Sequence, residues 1–465
     1  MSSELLAPLD LAFWHLDSTG HPMHLGALAL FAPGDGIRGD GTRVGDPHAG
    51  DTRAEGTCAE SATTDDILGL LATRAAAISR LRMRVRDVWL PVGGAAWTVD
   101  KGFDVHRHLH HICLPAGEFT TGATGIAGEL MERPIERGRP PWEMYLLTGG
   151  ADGSFAVLVK LHHALADGMR AVAIGAGIFD EIADPLGARA RRAPARPADP
   201  RGVLGFARDR IDDLGRAVGV GASVVRASRL DARGLPALAA GPSGTRRLGT
   251  AVLDLAEVRR VRAVVGGTAN DVLLAVVAGA LRRWAAERGE RLPATGPRAL
   301  VPVSRHRPGS PPGPGNRLSA YLLELPVAEP DPRARLDAVR TAMERNKAAG
   351  PLRGAGAVAV LADQLPSLAH RFGAPLAGGA ARLLFDVLVT SVPLPRAALS
   401  LGGRPLRAIY PMAPLARGQS LSIALTSHGG RVHIGLVADG KALPDLDRLA
   451  WSLGEELAEL LTVTG

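Results

Sequence analysis

Cysteine is almost missing from this chain. It occurs only at positions 58 and 113 of 465 residues, too few for a disulfide-stapled scaffold and in keeping with a reducing, cytoplasmic compartment. Lysine is scarce too, confined to positions 101, 160, 347 and 441, so the net charge of +7 rests almost wholly on arginine. Such one-sided usage reads as compositional bias, not as a selected phosphate-binding surface. Aromatics make up 4% and leave few platforms for stacked bases, and no nucleic-acid-binding motif is present, which argues against a nucleic acid partner. The excess charge suits an anionic membrane surface or the phosphates of a coenzyme, and a plainly solvated arginine-rich surface accounts for it as well. Long apolar runs are also lacking. The longest, Val272 to Leu281, falls short of the roughly 20 residues a membrane span needs and reads as a buried helix. Met1-Ser2-Ser3-Glu4 is followed by no signal-peptide core.

What is there is ample apolar material. A 46% hydrophobic content over 465 residues can bury a large core and build two domains. The pattern predicts a strand over Leu25–Phe31, then a Gly-, Asp-, Thr- and Arg-rich insertion over 33–64, expected to be flexible, and a helix over Asp65–Ala77. Residues 185–201, rich in Pro, Ala and Arg, read as a linker, and Val203 to Leu238 as crossing helices. A second half starts near Gly244, with a strand at Val252–Leu255 and a helix over Ala256–Val265. Asn270 is placed as N-cap of the apolar helix that follows. Leu421–Leu425 and Val432–Val437 flank Gly429-Gly430 as a hairpin, and a helix from Asp445 to Leu461 ends the pattern. The expected division is 1–184, 185–243 and 244–465, an α/β chain with mixed sheets.

The densest chemistry lies in Leu161-His162-His163-Ala164-Leu165-Ala166-Asp167-Gly168. The alternating run before it, Phe155 to Lys160, predicts a strand, and Met169 to Ile182 a helix. A strand end thus delivers two histidines into a tight loop. A neutral imidazole there can take a proton from an alcohol or thiol once its ring is fixed. Adjacent histidines on a strand point to opposite faces and do not naturally share an ion, and no HExxH set supports a metal elsewhere, so no metal site is expected.

Four further blocks accompany this one. They are Pro8-Leu9-Asp10-Leu11-Ala12-Phe13-Trp14 with Pro22-Met23-His24-Leu25-Gly26; Arg139-Pro140-Pro141-Trp142-Glu143; Asn270-Asp271 opening a helix; and Val301-Pro302-Val303-Ser304 with Gly315-Asn316. In this order they resemble the bacterial wax ester synthase/acyl-CoA:diacylglycerol acyltransferase family, from about Leu5 to about Leu460. Two departures stand out. Arg305-His306-Arg307 follows Ser304 where the family has one residue and then Arg, and Ser391-Val392-Pro393-Leu394-Pro395 stands where it has Asn-Val-Pro-Gly-Pro.

The resemblance implies two chloramphenicol-acetyltransferase-like domains with the active-site tunnel between them, and acyl transfer from acyl-CoA to the hydroxyl of a long-chain alcohol or diacylglycerol, with no cofactor. His163 would be the general base and His162 a packing residue. Asp167 would be structural and paired to Arg305 or Arg307, with Gly168 permitting the turn. Pro141, Trp142, Ser304 and the arginines fall on the substrate side. Asn270 or backbone amides are candidate oxyanion donors, although capping alone accounts for Asn270. The absence of a GxSxG elbow fits direct transfer. A lipid inclusion or the inner membrane is an expected peripheral location. Two other classes share the HHxxxDG plan: a condensation enzyme or carrier-dependent acyltransferase of secondary metabolism, and a non-catalytic lipid-binding protein. The first is opposed by the Pro-Met-His-Leu-Gly and Asn-Asp blocks, the second by intact His163 and Asp167.

Overall fold

The computed structural model describes residues 4–33, 62–90, 92–150, 152–180, 234–239, 243–304, 318–349, 384–395 and 397–464. Residues 34–61 of the expected insertion, the linker, nearly all of the crossing-helix segment, and Arg305 and Arg307 lie outside these, while residues 62–64 already belong to a helix. Numbered in chain order, the first half gives β1 (Glu4–Leu5), α1 (Pro8–Leu16), β2 (His24–Phe31), α2 (Ala62–Ala77), β3 (Met83–Asp87), β4 (Ala95–Val99), β5 (Leu109–Cys113), α3 (Phe119–Glu132), β6 (Trp142–Thr148), β7 (Phe155–His162) and α4 (Gly168–Ile178). The second gives β8 (Arg246–Asp254), α5 (Leu255–Val265), α6 (Ala269–Glu287), β9 (Arg298–Ser304), β10 (Leu318–Glu324), α7 (Pro332–Ala349), β11 (Val387–Ser391), β12 (Ser400–Leu401), β13 (Arg404–Met412), β14 (Leu421–His428), β15 (Arg431–Asp439) and α8 (Leu446–Thr464).

Two six-stranded sheets dominate, in the orders β12-β13-β2-β7-β6-β5 and β10-β9-β11-β14-β15-β8, beside a small β1-β4-β3 sheet. Both large sheets are mixed: β5 runs parallel to β6, and β11 parallel to β9 and β14, while other pairs are antiparallel. One feature was not visible in the sequence. Strands β12 and β13, from the second half, complete the first sheet by pairing β13 with β2. Alternation explains the layers. Ala29, Phe31, Phe155 and Val157 face one cluster with α1, α2 and α4, while Leu28, Leu30, Ala156 and Leu158 face α3.

The two sheets meet where β13 crosses β15. Gly435 is the residue that permits it, since a Cβ there would collide with the Pro411 carbonyl. In the second half, α6 is buried nearly all round, as its unbroken apolar run requires. Its cap differs from expectation. Thr268 holds that position, accepting from Asp271 N at 3.2 Å, while Asp271 Oδ2 accepts from Thr268 N at 2.8 Å. This capping box displaces Asn270 into the first turn. The expected hairpin forms, with Gly429 and Gly430 both at positive φ (57° and 76°), as a two-residue turn of this hand demands.

Candidate functional site

The β2–β7 pair sets the site. These strands pair from Phe31 and Phe155 up to His24 and His162, so the Met23 segment lies beside the histidine loop. There the Met23 carbonyl accepts the His163 N–H at 2.8 Å, and the Pro141 carbonyl accepts the His162 N–H at 3.0 Å. Both backbone positions are held before any side chain acts.

The two rings then part. His163 turns to a cavity between the halves and stacks on Phe13, centroids 3.9 Å apart and planes 18° off parallel. Burial depresses its pKa to about 4; its backbone hydrogen bond and Asp167 pull upward and neighbouring His162 downward. At neutral pH the imidazole is therefore an uncharged proton acceptor. His162 turns the other way and is almost wholly buried. Its Nδ1 accepts from Ala164 N at 3.0 Å, which leaves the proton on Nε2, and Nε2 faces Asp17 Oδ1 at 3.7 Å.

Asp17 also accepts the Met23 N–H at 2.9 Å, receives Arg137 at 3.3 Å and lies 4.0 Å from His24 Nε2. Burial alone would raise its pKa, but His162, the Met23 amide and His24 together hold it down to about 2. Burial, with Lys160 and His162 nearby, pushes His24 well below the ordinary histidine value. Lys160 is fully buried and pairs with Glu143 at 3.2 Å.

Asp167 caps α4, its Oδ1 accepting from Arg170 N at 2.8 Å. This anchors the loop's far end; Arg305 and Arg307, the partners expected for Asp167, lie outside the described residues. Gly168 starts α4 and lines the cavity. Its backbone is not left-handed, and a Cβ would meet Val392 at an ordinary 3.6 Å, so conformational freedom is not what this position needs.

The cavity measures about 240 Å³ and is walled by β2, β7, α4, β13 and the 388–395 segment. Leu25, Val159, Ile174, Val392 and Met412 make it apolar, and Thr390, Ser391 and Thr426 supply hydroxyls; the Thr426 hydroxyl donates to Val392 O at 2.7 Å. Gly26, also in its wall, leaves no room for a side chain, since a Cβ there would come to 3.0 Å of Val159 O and 3.2 Å of both Met131 and Met412.

Other expected site residues sit elsewhere. Pro141 and Trp142 do not line the cavity. Trp142 is fully buried, stacked on His108 and donating to Leu81 O at 2.7 Å, so it braces β6, and Pro141 acts through its carbonyl on His162. Asn270 lies in the first turn of α6, outside the wall, while Ser304 ends β9, whose Pro302 and Val303 do line it. Sequence reasoning missed Asp17 and Phe13, although both fall within or beside the first motif block, because no spacing rule ties either to His162 or His163.

Comparison with known proteins decides what this arrangement belongs to. The model described as wax ester synthase/diacylglycerol acyltransferase catalytic domain matches residues 6–273, and the corresponding C-terminal domain model matches 314–461. The chain belongs to this family. A probable diacylglycerol O-acyltransferase of Mycobacterium tuberculosis is 30% identical over 417 residues, covering 85% of this chain and 88% of the relative. The wax ester synthase/diacylglycerol acyltransferase from Marinobacter aquaeolei VT8 superposes with a TM-score of 0.69 at 23% identity, over 99% of this chain and 100% of that one. The first condensation domain of the CDA synthetase reaches 0.56 at 17% identity, over 98% and 96% of the two chains, and shares the fold alone. The family's two-domain acyltransferase architecture is thus the one seen here.

Proposed function

We propose that this acyl-CoA-dependent O-acyltransferase esterifies a long-chain alcohol or diacylglycerol within the cavity at His163. The neutral imidazole removes the acceptor's hydroxyl proton as the oxygen bonds to the thioester carbonyl carbon. The C–S bond then breaks, and the imidazolium returns its proton to the thiolate, releasing ester and free coenzyme A. Every atom is accounted for without an acyl-enzyme or a redox partner. The carrying observation is the neutral His163 on the wall of an apolar cavity, which suits an acyl chain and strengthens proton transfer by excluding water. Fixed backbone amides around the histidine loop serve an imidazole that must neither swing nor change tautomer.

The poor solubility of such an acceptor supports a peripheral position at a lipid surface. Among the described residues no single helix is long and apolar enough to cross a membrane. Incubation with labelled palmitoyl-CoA and hexadecanol, dioleoylglycerol or short alcohols tests the reading. Labelled wax ester or triacylglycerol with matching coenzyme A release supports it; thioester hydrolysis without ester would refute it.

A further inference from the structure

The β3–β4 hairpin ends in a tip whose apolar side chains face outward. Trp89 is 86% exposed, Leu90 64% and Val92 57%. Trp89 is the most exposed large apolar residue among those described. The tip is not a frayed end. Val88 N donates to Gly94 O at 3.0 Å, and the strands pair without a break from Met83–Val99 to Asp87–Ala95. The stem is anchored, with Val85 and Trp97 buried in the first-half core and the Arg80 guanidinium 3.9 Å from the Trp97 ring centroid. A fixed stem therefore projects an apolar point into solvent, where a folded chain ordinarily avoids one.

Charge runs along the stem, with Arg86 the cation nearest the tip and Arg82 at the base. Arg84 and Arg86 alternate with buried Val85 along β3, and Arg82 precedes the strand. Arg84 is taken up by Asp100 and the Gly138 carbonyl, whereas Arg82 and Arg86 are exposed; Asp87 is the acidic neighbour nearest the tip. On the neighbouring strand, Leu5 is 53% exposed.

We infer that this tip is a membrane-docking element: Trp89, Leu90 and Val92 enter the headgroup–acyl boundary of an anionic lipid surface while Arg86, the cation nearest the tip, meets its headgroups. Tryptophan favours that boundary because its ring is apolar and its N–H wet. A cation beside it adds attraction that salt screens, and a small apolar anchor needs such a second signal to hold. The choice of a lipid partner deepens the lipid-acceptor reading of the cavity and rests on it. Vesicle binding is nevertheless scored without any acyl transfer, so the two fail separately.

The test uses the full chain with vesicles of phosphatidylcholine alone or mixed with phosphatidylglycerol. Sedimentation should carry wild type down with the mixed vesicles, and less so with neutral ones or in high salt. Trp89→Ser with Leu90→Ser and Val92→Ser should weaken this partition by more than about tenfold, while transfer to a water-soluble short alcohol stays at the wild-type rate. Arg86→Gln should remove only the preference for anionic vesicles. Brominated acyl chains should quench tryptophan emission in wild type, with most of that quenching lost in the conservative Trp89→Phe. Unchanged partition in the triple variant, or unchanged quenching in Trp89→Phe, overturns the proposal. So does a lipid-free wild-type dimer that the triple variant dissociates, which would make the tip a contact between copies of the chain.

Discussion

The Asp17 carboxylate stands 3.7 Å from His162 Nε2, on the side of the β7 end away from the cavity. Through the Met23 residue it also reaches His163, for Asp17 accepts the Met23 N–H and the Met23 carbonyl accepts the His163 N–H. One buried carboxylate thus faces the imino nitrogen of the first histidine and, through Met23, holds the backbone of the second. This is a positioning role, since Asp17 does not border the cavity.

Asp17→Asn should therefore lower kcat more than it raises KM, and it should cost stability at neutral pH. A carboxylate whose folded pKa is held near 2, against an ordinary 3.8, stabilises the fold above the unfolded value and loses that contribution as pH falls through 2. The linked stabilisation is on the order of 2 kcal/mol. Denaturant melts of both proteins across this range should converge at the acid end. A constant difference at every pH would show that Asp17 is not held ionised as described.

His163 predicts a different pH profile. With its pKa near 4, the base stays neutral through mild acid, so kcat/KM should hold level below pH 6.5 and fall only as pH approaches 4. Stability should already decline between these values, because the unfolded chain protonates this histidine and the native state does not. An activity limb near 6.5 in the wild type would contradict the burial assigned to the ring.

Much of this was legible in the sequence. The alternation of Phe155 to Leu161, the Gly429-Gly430 turn and the His162-His163 loop each announce themselves locally, because strand period and turn chemistry are short-range. The cap of α6 was misplaced by two residues: Asn270 is a good capping type, but Thr268 with Asp271 satisfies two amides reciprocally and wins. What stayed hidden is long-range. Nothing near Arg404 to Met412 says that this strand pairs with β2, and nothing in Pro141-Trp142 says that the indole faces the core. Such facts depend on which sheet edge is free when the halves assemble.

Asp167→Ala should cost about 1 kcal/mol from the lost cap alone, and more if a buried cation is left behind. Asp167→Asn should keep most of the stability, since its side-chain oxygen still accepts from Arg170 N, yet transfer should slow in both. Thermal melts alongside initial rates check this. An Asp167→Ala protein with wild-type stability and no activity would move the carboxylate from scaffold to chemistry.

The sheet crossing gives a test far from the histidines. Gly435→Ala must push the Pro411 carbonyl aside, and overpacking of this kind costs roughly 1–3 kcal/mol. Because Pro411 and Met412 also line the cavity, the same change should alter acyl-chain preference. Unchanged melting temperature and chain-length profile would mean that the two sheets do not pack as described.

The central claim is that His163 abstracts the hydroxyl proton. The decisive measurement is the turnover of folded His163→Ala, verified by its melting curve, with palmitoyl-CoA and whichever acceptor serves the wild type best. The account predicts a loss of about 10²- to 10⁴-fold with palmitoyl-CoA binding retained. Turnover near the wild-type rate would contradict it.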